Sequence, residues 1–166
     1  MNIFVLDSDI DKCAQYHCVK HIGKMQLELA QLLCTALHQK PELARSNLRD
    51  VPYKSTHINH PCAIFTRKSN IHYSYVAGLL FALNKEYNKR YDKSHLSFTK
   101  MLDSGVIIEE DYLSANGNFL KIIDDIPKCM PEEFIVDSPI ESYRNYYKIA
   151  KVHLHNWYPV NKPEWI

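Results

Sequence analysis

The side chains best suited to chemistry in this sequence form a polar row near the start of the chain. Their spacings alternate between four and three residues, so on an α-helix they lie one turn apart along one face: His17, His21, Lys24, Glu28, Gln31 and Thr35. Imidazole, ammonium and carboxylate groups are costly to bury unless they are paired or hydrated. The row therefore predicts either the floor of a functional site or the solvent face of an ordinary amphipathic helix.

The segment that must position this row, residues 17–38, contains no proline and one glycine, which favours a single long helix. A helix with two apolar sides is typical of the centre of a core. This segment has two: Ile22, Met25, Leu29, Leu32, Leu33 and Ala36 on one side, and Leu27, Ala30, Cys34 and Leu37 on the other. We therefore favour a functional site, with Glu28 as the catalytic carboxylate and His17 and His21 as acid–base groups.

A second polar group lies in a loop that prolines punctuate: His57, Asn59, His60, Cys62 and Arg67. Lys24 and Arg67 are expected to hold a phosphate group, because both are cationic hydrogen-bond donors. Asn59 and His57 are expected to contact a base, and His60 to act as a third acid–base group.

The same residue types also suit a zinc site. Two histidines four positions apart on a helix, His17 and His21, can bind one ion that a loop histidine or cysteine completes. Against this, the chain has nine histidines, so such spacings arise by chance, and it contains no paired CxxC motif. We expect no bound metal and no organic cofactor.

A C-terminal helix is predicted to begin at the capping sequence Ser138-Pro139-Ile140-Glu141. Its apolar stripe continues as far as Trp157, and Pro159 ends it. Arg144 and Tyr146 lie off this stripe. They either close a nucleotide pocket or belong to a hydrated face.

The rest of the chain is also interpreted as mainly helical. A long helix is predicted over residues 69–91, and one or two shorter helices over 94–125, with a break at Gly105 and a turn at Asn116-Gly117. Residues 2–6 are β-branched or large and predict one short strand or an extended lead-in segment. The expected fold is mostly α, a single helical domain over residues 1–166 around a buried central helix.

Composition limits the class of protein. The AVILMFWYC residues make up 46% and charged residues 23% of the chain, which is typical of a globular domain. Five cysteines with irregular spacing and no export signal favour reduced thiols and a cytoplasmic location. Up to Lys100 there are 14 basic and 8 acidic residues, and this basic half suits an anionic partner such as DNA or a nucleotide rather than a membrane.

The sequences Ile22-Gly23-Lys24, Glu28, Gln31 and Asn59-His60-Pro61 also carry a family resemblance. They resemble the LGKxRxExxQxL helix and the NHP motif of small bacterial and phage proteins grouped with the pyrimidine-dimer DNA glycosylases, the phage endonuclease V type. The resemblance covers mainly residues 1–70. It implies an all-α fold that handles DNA, base excision by attack at C1′ of the sugar, and a catalytic carboxylate.

In that family the nucleophile is a free N-terminal amine on a small residue that methionine removal exposes. Here Asn2 follows Met1, and its bulk should prevent that removal. Three alternatives follow: the amine of Met1 serves, Lys24 replaces it, or lyase chemistry is absent. Because α-amines in general ionise near about pH 8 and lysines near about 10.4, we expect Lys24 to bind an anion, and borohydride to trap at most a weak adduct through Met1.

The preferred hypothesis is therefore an enzyme that acts on the N-glycosidic bond between base and sugar in DNA or in a nucleotide. A non-enzymatic protein that binds nucleotide or nucleic acid is the first alternative, and a zinc-dependent hydrolase is the second. If the chain is phage-encoded, the host cytoplasm is the expected location.

Overall fold

The computed structural model describes all 166 residues and contains helices, loops and short 3₁₀ turns but no β-strand. The prediction of a mostly α-helical fold is confirmed. The α-helices are α1 (Ile10–Tyr16), α2 (Val19–Gln39), α3 (Pro61–Thr66), α4 (Asn70–Tyr91), α5 (Leu96–Asp103), α6 (Glu109–Ile122) and α7 (Pro139–Ala150). None of them combines the length and the apolar character that crossing a lipid bilayer requires.

Helix α2 lies at the centre of the fold, as its two apolar sides predict. Among its predicted core residues only Leu27 has substantial exposure, at 38%, and the others are buried. Burying a leucine side chain contributes about 2 kcal/mol, so α2 supplies a large share of the hydrophobic free energy. It packs against α3, α4 and α5, and α4 in turn packs against α1 and α6.

The prediction that one helix begins at residue 17 is wrong at its first two residues. His17 and Cys18 are extended, with ψ angles of 128° and 166°, and they separate α1 from α2. The buried guanidinium of Arg90 on α4 donates hydrogen bonds of 2.8 Å to the carbonyls of His17 and Gln15. Carbonyls at a helix end need such partners, and this one comes from a distant part of the chain that local spacing does not reveal.

Residues 2–6 form no strand or helix, and Ile3, Phe4, Val5 and Leu6 are all buried. The ring of Phe4 lies between α2 and α7, with ring centroids 4.8 Å from His21 and 5.5 Å from Tyr143. The start of the chain is thus an internal part of the core, and its path determines where the amino terminus lies.

Two boundaries in the second half differ from the sequence-based prediction. Asn116 and Gly117 do not form a turn but lie inside α6, where the Asn116 side chain accepts a hydrogen bond from the backbone of Ile10. Helix α7 ends at Ala150 rather than near Trp157, and the indole of Trp157 instead donates to the carbonyl of Tyr16. In both places a tertiary contact overrides the local signal.

Candidate functional site

The amino terminus lies beside Glu28. The α-amine of Met1 is 3.9 Å from Glu28 Oε2, and the backbone N–H of Asn2 donates to the same oxygen at 2.9 Å. Lys24 Nζ lies 3.4 Å from Glu28 Oε1. We call Met1, Asn2, Lys24 and Glu28 the amino-terminal site. It brings together an amine, a carboxylate and a second cation at the surface of α2.

Lys24 and Glu28 differ in how far their side chains are exposed to water. The Lys24 side chain is 66% exposed, whereas the Glu28 side chain is 15% exposed. The carboxylate is therefore partly withdrawn from water and surrounded by N–H donors, while the lysine is free to reach an anion in solution.

The side chain of Asn2 fixes the position of the terminus. Its Oδ1 accepts a hydrogen bond of 2.7 Å from the hydroxyl of Tyr143 on α7 and one of 2.8 Å from the N–H of Ile3. Its Nδ2 donates to the carbonyl of Cys129 at 2.9 Å. Together with the buried residues 3–6, these bonds hold the first residues of the chain against α2 and α7.

His60, Cys62 and Cys129 meet next to Asn2, and we call these three residues the thiol cluster. Their candidate ligand atoms all lie within 4.8 Å of one another, and the two sulfurs are 3.6 Å apart. His60 is the N-cap of α3, and its Nδ1 accepts a hydrogen bond from the backbone of Cys62 at 3.1 Å. All five cysteines of the protein are free.

The electrostatics of the thiol cluster link it to the amino-terminal site. The hydrogen bond between the two sulfurs raises the pKa of the Cys62 thiol and lowers the pKa of the Cys129 thiol. Partial burial lowers the pKa of His60, and the charge of the amino terminus adds to this effect while Glu28 opposes it. His60 lies on the same side of the molecule as Glu28, because Asn2 contacts both Glu28 and the thiol cluster. The lowered pKa leaves the His60 ring mostly neutral at pH 7.

His17 and His21 do not join these groups. His17 is fully buried, its Nδ1 bonds to the Cys13 carbonyl at 2.8 Å, and burial lowers its pKa to about 4. His21 is 5% exposed, its Nδ1 lies 2.9 Å from the Tyr147 hydroxyl, and burial lowers its pKa to about 3. Both rings are neutral at pH 7 and enclosed by aromatic side chains, so their present position suits packing rather than proton transfer.

The loop before α3 runs along the outer face of α2. Thr56 exchanges hydrogen bonds of 3.1 and 3.2 Å with the side chain of Thr35, the last member of the polar row. His57 and Asn59 are exposed on this loop, and Arg67 is half-buried at the end of α3. His57 and Asn59 thus precede His60 on this segment, and Arg67 follows it.

Arg144 and Tyr146 brace the start of the chain. Arg144 donates to the carbonyl of Leu6 and to the carboxylate of Asp7, both at 2.7 Å. The ring of Tyr146 is parallel to that of Phe4, with centroids 6.2 Å apart. Because these contacts already occupy the guanidinium and one face of the ring, both residues support the amino-terminal segment.

The sequence-based reasoning missed Asn2, Cys129 and Tyr143. Each lies far along the chain from the groups that it contacts, and none belongs to a short motif. The one available signal was the presence of five cysteines, and that signal does not indicate which of them meet.

A separate cleft lies between α1 and α4. Side chains of both charge signs line it: Asp11, Lys12, Lys85, Glu86 and Lys89. Such a mixture favours water and ion pairs rather than a ligand of one charge. The candidate site is the amino-terminal site, in which Lys24 is exposed and the side chains of Met1 and Glu28 are largely buried.

No family model, curated protein or solved structure matches this chain.

Proposed function

We propose that this protein is an enzyme that breaks the bond between base and sugar in DNA, with the α-amine of Met1 as nucleophile and Glu28 as the catalytic carboxylate. The observation that carries this proposal is the 3.9 Å distance between the α-amine and Glu28 Oε2. At neutral pH an α-amine is in general unprotonated to a greater extent than a lysine amine, because its reference pKa is near 8 rather than 10.4. A nucleophilic amine must be unprotonated to attack.

In the proposed reaction, the lone pair of the Met1 nitrogen forms a bond to C1′ of the sugar. The electron pair of the base–sugar bond leaves with the base, which takes up a proton. Glu28 stabilises the positive charge that develops on the sugar, since its carboxylate is held beside the attacking nitrogen. Glu28 then accepts a proton from that nitrogen and returns it to O4′ as the ring opens, which leaves an imine between Met1 and C1′.

The other residues bind and orient the substrate. Lys24, exposed at the edge of the site, contacts a DNA phosphate, and Arg67 is the second candidate for such a contact. His60 Nδ1 already accepts a hydrogen bond from Cys62, so the neutral ring carries its proton on Nε2. From there it donates a hydrogen bond to the departing base. His57 and Asn59, exposed on the same loop, contact the base or its neighbours.

Borohydride trapping on DNA that contains an abasic site or a pyrimidine dimer tests the nucleophile. We expect a covalent adduct on the peptide that contains Met1, a stronger expectation than the sequence supports. Intact mass measured beforehand establishes that Met1 is the terminal residue. Acetylating the α-amine should abolish the adduct, and Lys24→Ala should preserve it. An adduct that survives acetylation but is lost in Lys24→Ala would refute the role of Met1.

Glu28→Gln tests the carboxylate. Base release should fall by at least about two orders of magnitude, as for removal of one electrostatic stabiliser, while DNA binding persists. The matched control is Lys20→Ala, an exposed change on the same helix, which should leave base release unchanged. If the wild-type protein binds DNA but releases no base from any substrate, and Glu28→Gln changes nothing, the protein is a non-enzymatic binder and the proposal is wrong.

Lys24→Ala tests the phosphate contact. Losing one such contact should weaken binding to all DNA sequences alike and should reduce the slope of log K against log salt by about one. Fluorescence anisotropy at several salt concentrations measures both quantities. An unchanged salt slope would exclude Lys24 from the DNA interface.

A further inference from the structure

We propose that the thiol cluster, His60, Cys62 and Cys129, binds one zinc ion next to the amino terminus. The three candidate ligand atoms come from the start of α3 and from the irregular segment before α7, and they converge to within 4.8 Å of one another. This site includes the loop residues His60 and Cys62 but neither histidine of the helix, because His17 and His21 are enclosed elsewhere. A zinc site here also differs from the sequence-based expectation that the protein binds no metal.

The distance between the two sulfurs fits a metal better than a covalent bond. In a tetrahedral site with zinc–sulfur bonds of about 2.3 Å, two thiolate sulfurs lie about 3.8 Å apart. The Sγ atoms of Cys62 and Cys129 are 3.6 Å apart, so binding a zinc ion requires them to move by only a few tenths of an ångström. A disulfide requires about 2.05 Å and hence a much larger displacement.

The donor set selects the type of ion. Two thiolates and one imidazole are ligands for zinc and for similar transition metals, whereas magnesium and calcium prefer oxygen. On binding, both thiol protons are released to water, and the site then carries two thiolates, one neutral imidazole and one dication.

Binding of the ion at Nδ1 of His60 would exchange one hydrogen bond. Its Nδ1 now accepts the N–H of Cys62 as the N-cap of α3. An ion bound at Nδ1 replaces that N–H as the partner of the nitrogen lone pair. A helix cap contributes far less than a bond between zinc and imidazole, so the exchange favours the ion.

A water molecule is the expected fourth ligand. One protein oxygen near the cluster is Asn2 Oδ1, 3.9 Å from Cys62 Sγ. It already accepts the N–H of Ile3 and lies 2.7 Å from the hydroxyl of Tyr143, which also contacts the carbonyl of Pro127. Three protein ligands with one open position is a common arrangement for zinc.

The ion would link the start of α3 to the segment before α7, next to the amino-terminal site. The carbonyl of Cys129 accepts the side-chain amide of Asn2, so fixing Cys129 also fixes the residue that follows Met1. A metal at this point therefore stabilises the position of the amine, whatever reaction that amine performs. The zinc site does not depend on the proposed glycosylase activity.

Metal analysis of the untagged, reduced protein tests the site. After incubation with zinc and removal of excess ion, we expect one zinc per chain. With cobalt in its place we expect the visible bands of a tetrahedral ion and a sulfur-to-cobalt charge-transfer band. Cys62→Ser and Cys129→Ser should each lose stoichiometric binding. His57→Ala and Cys34→Ala are the matched controls, because neither residue belongs to the cluster, and both variants should retain one ion.

Three results would overturn the zinc site. The first is a reduced wild-type protein that binds no zinc. The second is full occupancy in Cys129→Ser. The third is a cobalt spectrum without the charge-transfer band, which needs no variant and stays decisive if a variant fails to fold. A disulfide between Cys62 and Cys129 in protein that still binds no metal after reduction would identify a redox pair instead.

Discussion

Acid should destabilise this protein through two buried histidines. Burial lowers the pKa of His17 from 6.5 to about 4 and the pKa of His21 from 6.5 to about 3. The unfolded chain therefore takes up protons at a higher pH than the folded chain. The stabilisation is fully present above pH 6.5 and is lost as the pH falls toward these lowered values.

The size of the effect follows from the distance between the pKa values. One pH unit of differential protonation corresponds to about 1.4 kcal/mol, so at about pH 4.5 each histidine has removed about 2.5 kcal/mol of stability. Both together remove about 5 kcal/mol of stability. This is an upper figure, because the lowered pKa of His21 already includes the effect of a charge on His17. A domain has only about 5–15 kcal/mol in total, so unfolding near this pH is expected.

Urea unfolding between pH 7 and pH 4 measures this loss. The double variant His17→Gln/His21→Gln has no imidazole at either position and retains side-chain hydrogen-bond donors. Its free energy of unfolding should be lower than that of the wild type at pH 7 but should fall less steeply with acid. Carboxylates contribute equally to both proteins, so the difference between the two slopes isolates the histidines. Parallel curves for the two proteins would show that the buried histidines are not the cause.

Two further predictions concern packing. A Cβ at Gly78 would lie 2.6 Å from the carbonyl oxygen of Asp111 and 2.7 Å from Ala115 Cβ, so Gly78→Ala should destabilise the α4–α6 contact by about 1–3 kcal/mol in urea unfolding. Gly117→Ala is the control, since nothing lies within 4 Å, and it should stabilise α6 by up to about 1 kcal/mol; equal effects would contradict the close approach. Arg90→Met should remove about 3–5 kcal/mol, because buried Glu86 keeps only its longer contact of 3.9 Å with Lys89 and two carbonyls lose their donor. Adding Glu86→Gln should restore part of that loss. No recovery in the double variant would exclude the ion pair as the source.

Helical periodicity accounts for the parts of the fold that the sequence predicts well. The two apolar sides of α2 follow from spacing alone, as does the proximity of Lys24 and Glu28, which are four residues apart on one helix. The start of α7 is equally local, because Ser138 caps it and Pro139 occupies its first turn. Such features need no knowledge of the rest of the chain.

The remainder depends on long-range contacts. His17 leaves the polar row because the carbonyls at the end of α1 bind Arg90, and nothing near residue 17 indicates this. Gly117 remains helical because α6 is held by its packing, although an Asn-Gly pair in isolation favours a turn. The amino-terminal site combines local and long-range contacts. Glu28 and Lys24 lie on one helix, four residues apart. Asn2 is held beside Glu28 by the buried residues that follow it and by its hydrogen bond to Tyr143 on α7.

The hydrogen bond between Asn2 and Tyr143 has a consequence for the order in which the molecule is made. A ribosome releases the amino terminus first, yet the hydroxyl that holds Asn2 belongs to a residue 141 positions later. A nascent chain that ends before Cys129 can form α2 and α4 but lacks both that cysteine and the ring of Tyr143. We therefore expect the amine to reach its position beside the carboxylate only as a late event of synthesis.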